Sequence, residues 1–460
     1  PQNGSTSLED FYRTDAEVEE ATTAIYAQFR SMLRGRFTST TELKLSLSDE
    51  VYIGGSTRGD NLGKEQLNEY RYDYTNEVIS SVFENLYTLI YRTNLVINKV
   101  DPTESDIKKR DVAEALVFRA WANFELVTLW GPAPLVLEAQ RDDYKASNST
   151  VEALWAQVEA DLTQALSMDC LNEKQNMEDN LSGIRVTKQF AQALLGKAYL
   201  FQGKYHEAIQ PLQEIVDSEL YGFLEDYGNY CVAAYNNNRE IIFSDNVANT
   251  IQDASGCWLW LCCGWSSNYL AGLSTTSADI NPMGWGQFLP TPTSIQAFID
   301  MEGEDGFRFK NTMKSYNDLL NMGISLINGQ AYYASSGYFN WKYRAPKSSL
   351  VNPMNPTSLY NNIPFMKYSE VVLLLAEAKI MANGDGAGDT ELNMIRRKAH
   401  LPELSNAGMD ELKVEKRLEL YMDGTRYQDL IRWGDAATVL AEQGKQIPEF
   451  NGLNADGTFN

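Results

Sequence analysis

ALLGKAYLFQGKYHEAIQPLQEIV, residues 193 to 216, sets two amphipathic segments either side of a glycine turn. Leu195, Gly196 and Tyr199 share one face of a first helix, Gly203 and Lys204 turn the chain, and Tyr205, Ala208 and Ile209 open a second helix. Gly196 and Ala208 lack bulk where the helices would cross, so the backbones can approach closely while Tyr199 fills the neighbouring groove. A chance hairpin would show the apolar period without the ordered Leu-Gly, Tyr, Gly, Tyr, Ala series, and that series marks a tetratricopeptide-type hairpin. One hairpin cannot bury its own face. Stable arrays need about three or more units of about 34 residues each, so the rest of the chain must supply partners.

Working outward, the partners are legible. VEALWAQVEADLTQAL precedes the hairpin, and before it Val78 to Val100 and Asp111 to Trp130 form two apolar-striped helices facing each other across DPTESD. Gly131, Pro132 and Pro134 stop the second of these. Residues 15 to 34 carry Val18, Ala21, Ile25, Phe29 and Leu33 at helical spacing, with acids early and arginines late, as the helix dipole favours. ELKLSLSDEVYIGG alternates briefly and predicts a strand or extended arm, followed by a polar, aromatic loop over residues 54 to 75 and a helix starting near Asn76. From about residue 220 to 364 the chain is rich in Gly, Asn, Ser, Pro and aromatics, with short candidate strands at EIIFSDN and GYFNWKYR. Helices resume at PFMKYSEVVLLLAEAKIMANG, TELNMIRRKAHL and KVEKRLELYMDGTRYQDLIRWGDA. The expected fold class is therefore mainly all-α: a tetratricopeptide-like helical array, with helix pairs within about 78–216 and 365–435, and a long irregular, loop-rich insertion at about 220–364. All 460 residues are expected to form one domain.

The charge balance limits the partners. Asp and Glu number 62 against 39 Lys and Arg, a net charge of −23, which repels phosphate and anionic lipid and argues against nucleic acid; it also serves plain solubility. Five cysteines, Cys170, Cys231, Cys257, Cys262 and Cys263, are an odd number in a chain too large to need disulfide staples, and the expectation is buried thiols. His206 and His400 are not spaced near them as a zinc site requires, so no metal or cofactor is expected. The chain is polar from PQNGSTSLEDFY onward, which implies either a cytoplasmic protein or a leader already removed. No P-loop, HExxH or GxSxG motif is present, and acid pairs such as Asp49 with Glu50 or Asp300 with Glu302 read as solvated loop residues rather than a glycosidase pair. The expectation is a protein that is not an enzyme, with a glycosidase on a helical fold and an intracellular repeat scaffold as the alternatives.

The order of motifs resembles the SusD/RagB family of outer-membrane glycan-binding lipoproteins. The carriers are LEDFYRTDAEVEEATTAIY, LSDE at 47 to 50, NLYTLIYRTNLVINKV at 85 to 100, AEALVFRAWANFELVTLWGPAPLV at 113 to 136, GWGQFLPTPTSIQAFIDMEGEDGFR at 284 to 308, the Pro364 to Leu404 block, and EKRLELYMDGTRYQDLIRWGD at 415 to 435. Asp423 and Tyr427 stand where the family usually has Glu and Trp, and Lys367 where it usually has Arg. The resemblance implies a receptor for oligosaccharide or polysaccharide that sits as a lid on a SusC-like TonB-dependent transporter. It also implies a lipid anchor at the outer membrane on an N-terminal cysteine, absent from this chain, which would then be a trimmed mature form. It further implies that the array faces the transporter and that the insertion carries the sugar site.

A sugar ring is apolar on its C–H faces and polar at its rim, so its site needs aromatic plates edged by amides, carboxylates and arginines. Trp258, Trp260, Trp265, Tyr269 and Trp285 cluster among Gly, Ser, Thr and Asn; each Trp alone reads more readily as core than as ligand contact, and together the balance reverses in favour of a site. If CWLWL is extended, Trp258 and Trp260 share one side and form a platform, with Trp265 and Trp285 beside it. Trp285 lies in the GWG match, which leaves a structural role open for it. The second candidate is the 58–76 loop, with Tyr70, Arg71, Tyr72 and Asn76 as expected contacts and Asp49 and Arg58 as weaker ones open to a salt-bridge reading. Tyr332, Tyr333 and Trp341 form a third cluster.

Overall fold

The computed structural model describes residues 11–35, 39–139 and 146–460, so the expected processed start at Pro1 lies outside the described residues. The chain is mainly helical with a few short strands, and it divides into two compact units. One comprises residues up to Met32 with Phe83–Tyr221, and the other Leu33–Val82 with Gly222–Asn460.

The first unit is built from helix pairs. Its central helix, Asp106–Trp130, starts where the Ser105 hydroxyl accepts from the Lys108 amide, and nearly every side chain from Asp111 to Val127 is buried. A helix enclosed all round can show no amphipathic stripe, and its charges must be paired. Arg119 meets that need by donating to both carboxylate oxygens of Asp161, at 2.8 and 2.6 Å, and to Asn94 Oδ1 at 2.9 Å, which ties three helices together. The opening hairpin forms as expected, from Lys188–Phe201 and Tyr205–Asp217. A Cβ on Gly196 would lie 2.5 Å from Leu212 Cγ, so the crossing is tight because this residue has no side chain. Gly203 turns the chain at φ +75°, and the Lys204 amide closes the turn on the Tyr199 carbonyl at 3.0 Å.

Among the described residues, the second unit combines short helices with five two-stranded antiparallel sheets. Two expectations are corrected here. The ELKLS stretch is helical, within Thr40–Ser46, because Ser39 caps it by accepting from the Glu42 amide; only Val51–Ile53 is a strand, paired with Phe288–Pro290. The expected 54–75 loop contains the helix Leu62–Asn68. The candidate strands are found at Ile241–Asp245, paired with Ile363–Lys367, and at Tyr338–Asn340, paired with Met313–Ser315.

The block from Glu415 to Arg432 supplies much of this unit's interior, as buried charge. Glu415 accepts from Arg308 and Arg396, Glu419 from Lys398 and Arg308, Lys416 pairs with Asp429 and Glu377, and Arg426 with Asp49. Paired and hydrogen-bonded charges of this kind cost much when one partner is removed, because the other is left buried and uncompensated. Cys231, Cys257, Cys262 and Cys263 are buried free thiols, and Cys170 is half-buried.

Candidate functional site

Loop 54–61 and the segment 264–287 of the second unit converge on a cleft of about 320 Å³, lined by Ser56, Asp60, Ser267, Asn268, Met283, Gly284, Trp285 and Gln287. Its floor is backbone against backbone. The amides of Trp285, Gly286 and Gln287 donate to the carbonyls of Leu261, Gly264 and Cys262 at 2.7, 2.7 and 2.8 Å, and the Gly54 amide donates to the Gln287 carbonyl at 3.0 Å. A Cβ on Gly284 would overlap the backbone of Gly264 and Trp265, and one on Gly54 would overlap the Gly286 carbonyl. Glycine is therefore a steric requirement at both positions.

Side chains hold the two loops together. The Tyr269 hydroxyl donates to the Ser56 carbonyl at 2.5 Å and Asn268 Nδ2 to Ser56 Oγ at 3.4 Å, while within the 54–61 loop Asn61 Nδ2 donates to the Gly54 carbonyl at 3.0 Å. Below the floor, Lys64 donates to Gln287 Oε1 at 2.6 Å and pairs with Glu42. Trp258 and Trp285, both half-buried, stack with ring centroids 5.4 Å apart and planes 22° apart. The result is an indole plate edged by exposed hydroxyl, amide and carboxylate groups.

The expected tryptophan platform needs correction. Trp258–Cys263 is a helix, so Trp258 and Trp260 lie about 200° apart around its axis rather than on one side. Trp260 is 0% exposed, donates through Nε1 to the Asn361 carbonyl at 3.1 Å, and stacks on Tyr343. Trp265 is 2% exposed, donates to the Asn340 carbonyl at 2.7 Å, and packs in a core cluster with Tyr269, Tyr332, Tyr333 and Phe339, against which Trp341 also rests. Both indoles satisfy their N–H groups internally and present no face to solvent, and Tyr332 and Tyr333 share that enclosure.

In the 58–76 loop the expected residues separate. Tyr70, Arg71 and Tyr72 are exposed, and the two tyrosine rings lie 6.3 Å apart. Tyr70 adopts a left-handed backbone, φ +53°, and its hydroxyl donates to the Leu47 carbonyl. Arg58 and Arg71 both pair with Glu69; burial raises that carboxyl's pKa, and the hydrogen bonds from the two guanidiniums outweigh it and draw it down. Asn76 is corrected to a structural residue: it is buried, its Nδ2 donates to the Gly63 carbonyl at 2.9 Å, and its Oδ1 caps the next helix by accepting from the Val78 and Ile79 amides. Asp49 is likewise buried between Arg417 and Arg426. Tyr74 was missed, although it is 90% exposed, the most exposed large aromatic side chain among the described residues. The alternation of Tyr70, Tyr72 and Tyr74 is the signal that could have found it. Asp60, Ser267 and Asn268 were missed as well, because short polar residues in turns carry no distinguishing pattern.

Helix pairs in one unit and an aromatic cleft between loops in the other define a tetratricopeptide-like fold elaborated with a loop-built surface cleft. The SusD family model matches residues 239–458, and a second model, described as starch-binding associating with outer membrane, matches residues 12–202. The chain belongs to the SusD/RagB family. It is 21% identical over 449 residues to a SusD-like protein of Bacteroides ovatus, covering 92% of this chain and 76% of that one. Among solved structures it is similar to a laminarin-binding SusD-like protein, at 25% identity and TM-score 0.81, covering 94% of each chain. It is also similar to surface glycan-binding protein A from Bacteroides thetaiotaomicron in complex with laminarihexaose, at 19% identity and TM-score 0.75, covering 96% of this chain and 93% of that one.

Proposed function

We propose that this protein captures an oligosaccharide or polysaccharide at the bacterial surface and delivers it, uncleaved, to a TonB-dependent outer-membrane transporter. The observation that carries the reading is the cleft of about 320 Å³ with Trp285 as its plate. The stacked Trp258 stiffens that plate, the indole face suits the C–H face of a sugar, and Asp60, Asn268, Ser56 and Ser267 offer the mixed donors and acceptors that hydroxyls require. Tyr70, Arg71, Tyr72 and Tyr74 form a second exposed aromatic group that extends the contact for a longer chain. Family membership supports the reading, as do the laminarin and laminarihexaose named for two similar structures. Anchoring through a lipid on a cysteine preceding Pro1, facing the cell exterior, completes the assignment.

Titration calorimetry against laminarihexaose, laminarin, starch, xylan and mannan tests it. Saturable binding to at least one, weakened by Trp285→Ala and by Asn268→Ala, is the expected result; no binding to any of them overturns it. Chromatography of the bound glycan after prolonged incubation should show unchanged chain length, and release of shorter sugars would favour a hydrolase. Copurification of the transporter with the membrane-anchored mature protein checks the partnership.

A further inference from the structure

A second cavity of this unit is larger than the Trp285 cleft. It holds about 800 Å³ and shares no lining residue with the Trp285 cleft. Phe307 and His400 line it as a stacked pair, with centroids 3.9 Å and planes 18° apart, and Phe223 and Met394 add apolar wall. His400 is exposed and follows the helix Asp389–Lys398 in a left-handed conformation, φ +59°, with the Leu401 amide bonded to the Arg396 carbonyl at 2.8 Å. That conformation is strained for a side chain with a Cβ, and it belongs to the residue whose ring rests on Phe307.

The rim has hydrogen-bonding capacity to spare. Neither the His400 imidazole nor the Glu225 carboxylate makes a hydrogen bond or ion pair among the described residues. The charges nearby are largely spent: Lys398 turns its ammonium to Glu240, Glu419 and Tyr230, and Arg397 pairs with Glu403 at 2.5 Å. An anionic ligand would meet the carboxylates of Glu225 and Asp226. A neutral, polyhydroxylated ring fits both the plate and the rim. It needs an apolar face for stacking and mixed acceptors and donors at its edge, and this cavity's volume lies within the range of small-molecule sites.

We propose that this cavity is a second saccharide subsite, in which a sugar ring lies against His400 backed by Phe307, and its hydroxyls bond to Glu225 and Asn311. The ligand class rests on the saccharide reading of the Trp285 cleft; the location does not. Binding by the full chain is measured for laminarihexaose, laminarin, starch, xylan and mannan, with native mass spectrometry counting hexasaccharides per chain. The variants are Trp285→Ala, His400→Ala, Glu225→Gln and the double Trp285→Ala/His400→Ala. The expected result is residual binding in Trp285→Ala that disappears in the double variant, with His400→Ala and Glu225→Gln each weakening the parent roughly tenfold at this subsite. Unchanged binding in both single variants, alongside a loss in Trp285→Ala, overturns the subsite and leaves the cleft standing. Loss in His400→Ala and Glu225→Gln with none in Trp285→Ala supports the subsite and removes the cleft. If the parent binds none of the probes, both readings fall. Should His400→Ala fail to fold, Glu225→Gln, an exposed and unbonded side chain, decides.

Discussion

Trp285 and Trp260 carry the same indole into opposite settings, and truncation should tell them apart. Trp285→Ala is expected to lower glycan affinity by about 1–3 kcal/mol with little change in melting temperature, as when one aromatic anchor leaves a binding site. Trp260→Ala should instead cost about 3–5 kcal/mol of folding free energy, because the side chain is enclosed and hydrogen-bonded within the interior. Calorimetric titration beside a melting curve reads both, and equal binding loss in the two variants at unchanged stability would reverse the assignment. The sequence could not separate these residues. CWLWLCC is a short apolar run between Gly256 and Gly264, compatible with strand or helix, and the burial that decides the matter comes from residues around 340 and 361. Asn76 was misread for the same reason: its amide meets the Gly63 carbonyl thirteen residues back.

At the scale of elements, the 193–216 hairpin was fully legible, since its spacing encodes the crossing directly. Gly196→Ala is expected to destabilise the protein by about 1–3 kcal/mol by overpacking against Leu212, despite alanine's advantage of up to about 1 kcal/mol within a helix. Pairing it with Leu212→Ala should recover part of the overpacking strain, measured by urea unfolding against each single variant. No recovery would mean that the strain lies elsewhere. The helix Thr40–Ser46 was not legible, because seven residues of alternating Leu and polar side chains satisfy a strand pattern equally well and only the Ser39 cap chooses. The burial of charge in the helix Met409–Glu419 was not legible either: Glu415, Lys416 and Glu419 are buried, and each is matched by an opposite charge that lies distant in sequence.

For the whole molecule, those interior charges set the pH dependence of stability. Burial would raise the Glu419 pKa, but Lys398, Arg308 and Lys342 outweigh it and hold it at about 2, against an ordinary value of 4.5. The stabilisation it contributes is present above pH 4.5 and is lost as pH falls toward 2, where the unfolded chain holds the extra proton. Glu50 runs the other way. Burial first, and then the neighbouring Asp49 charge, raises it to about 8; one of its oxygens accepts from the Met422 amide while the other has no hydrogen-bond partner among the described residues. Between pH 4.5 and 8 the folded chain keeps a proton that the unfolded chain releases, so this group's contribution falls as pH rises. Glu50→Gln should therefore melt close to the parent near pH 4.5 and above it at pH 8. Parallel melting curves across that window would show that Glu50 is ionised in the folded protein. A different consequence follows from the cleft floor. Gly54, Gly264 and Gly284 press main chain against main chain, so the base under the walls at Ser56, Asp60, Ser267, Asn268 and Met283 is set by backbone; all five are exposed, and Asp60 also holds Ser56 by accepting from its amide at 3.0 Å. Under the proposed saccharide reading, ligand preference could then be rewritten by exchanging Ser267 or Met283 singly and Ser56 with Asp60 as a pair, a chassis for retargeting the protein to a different polymer.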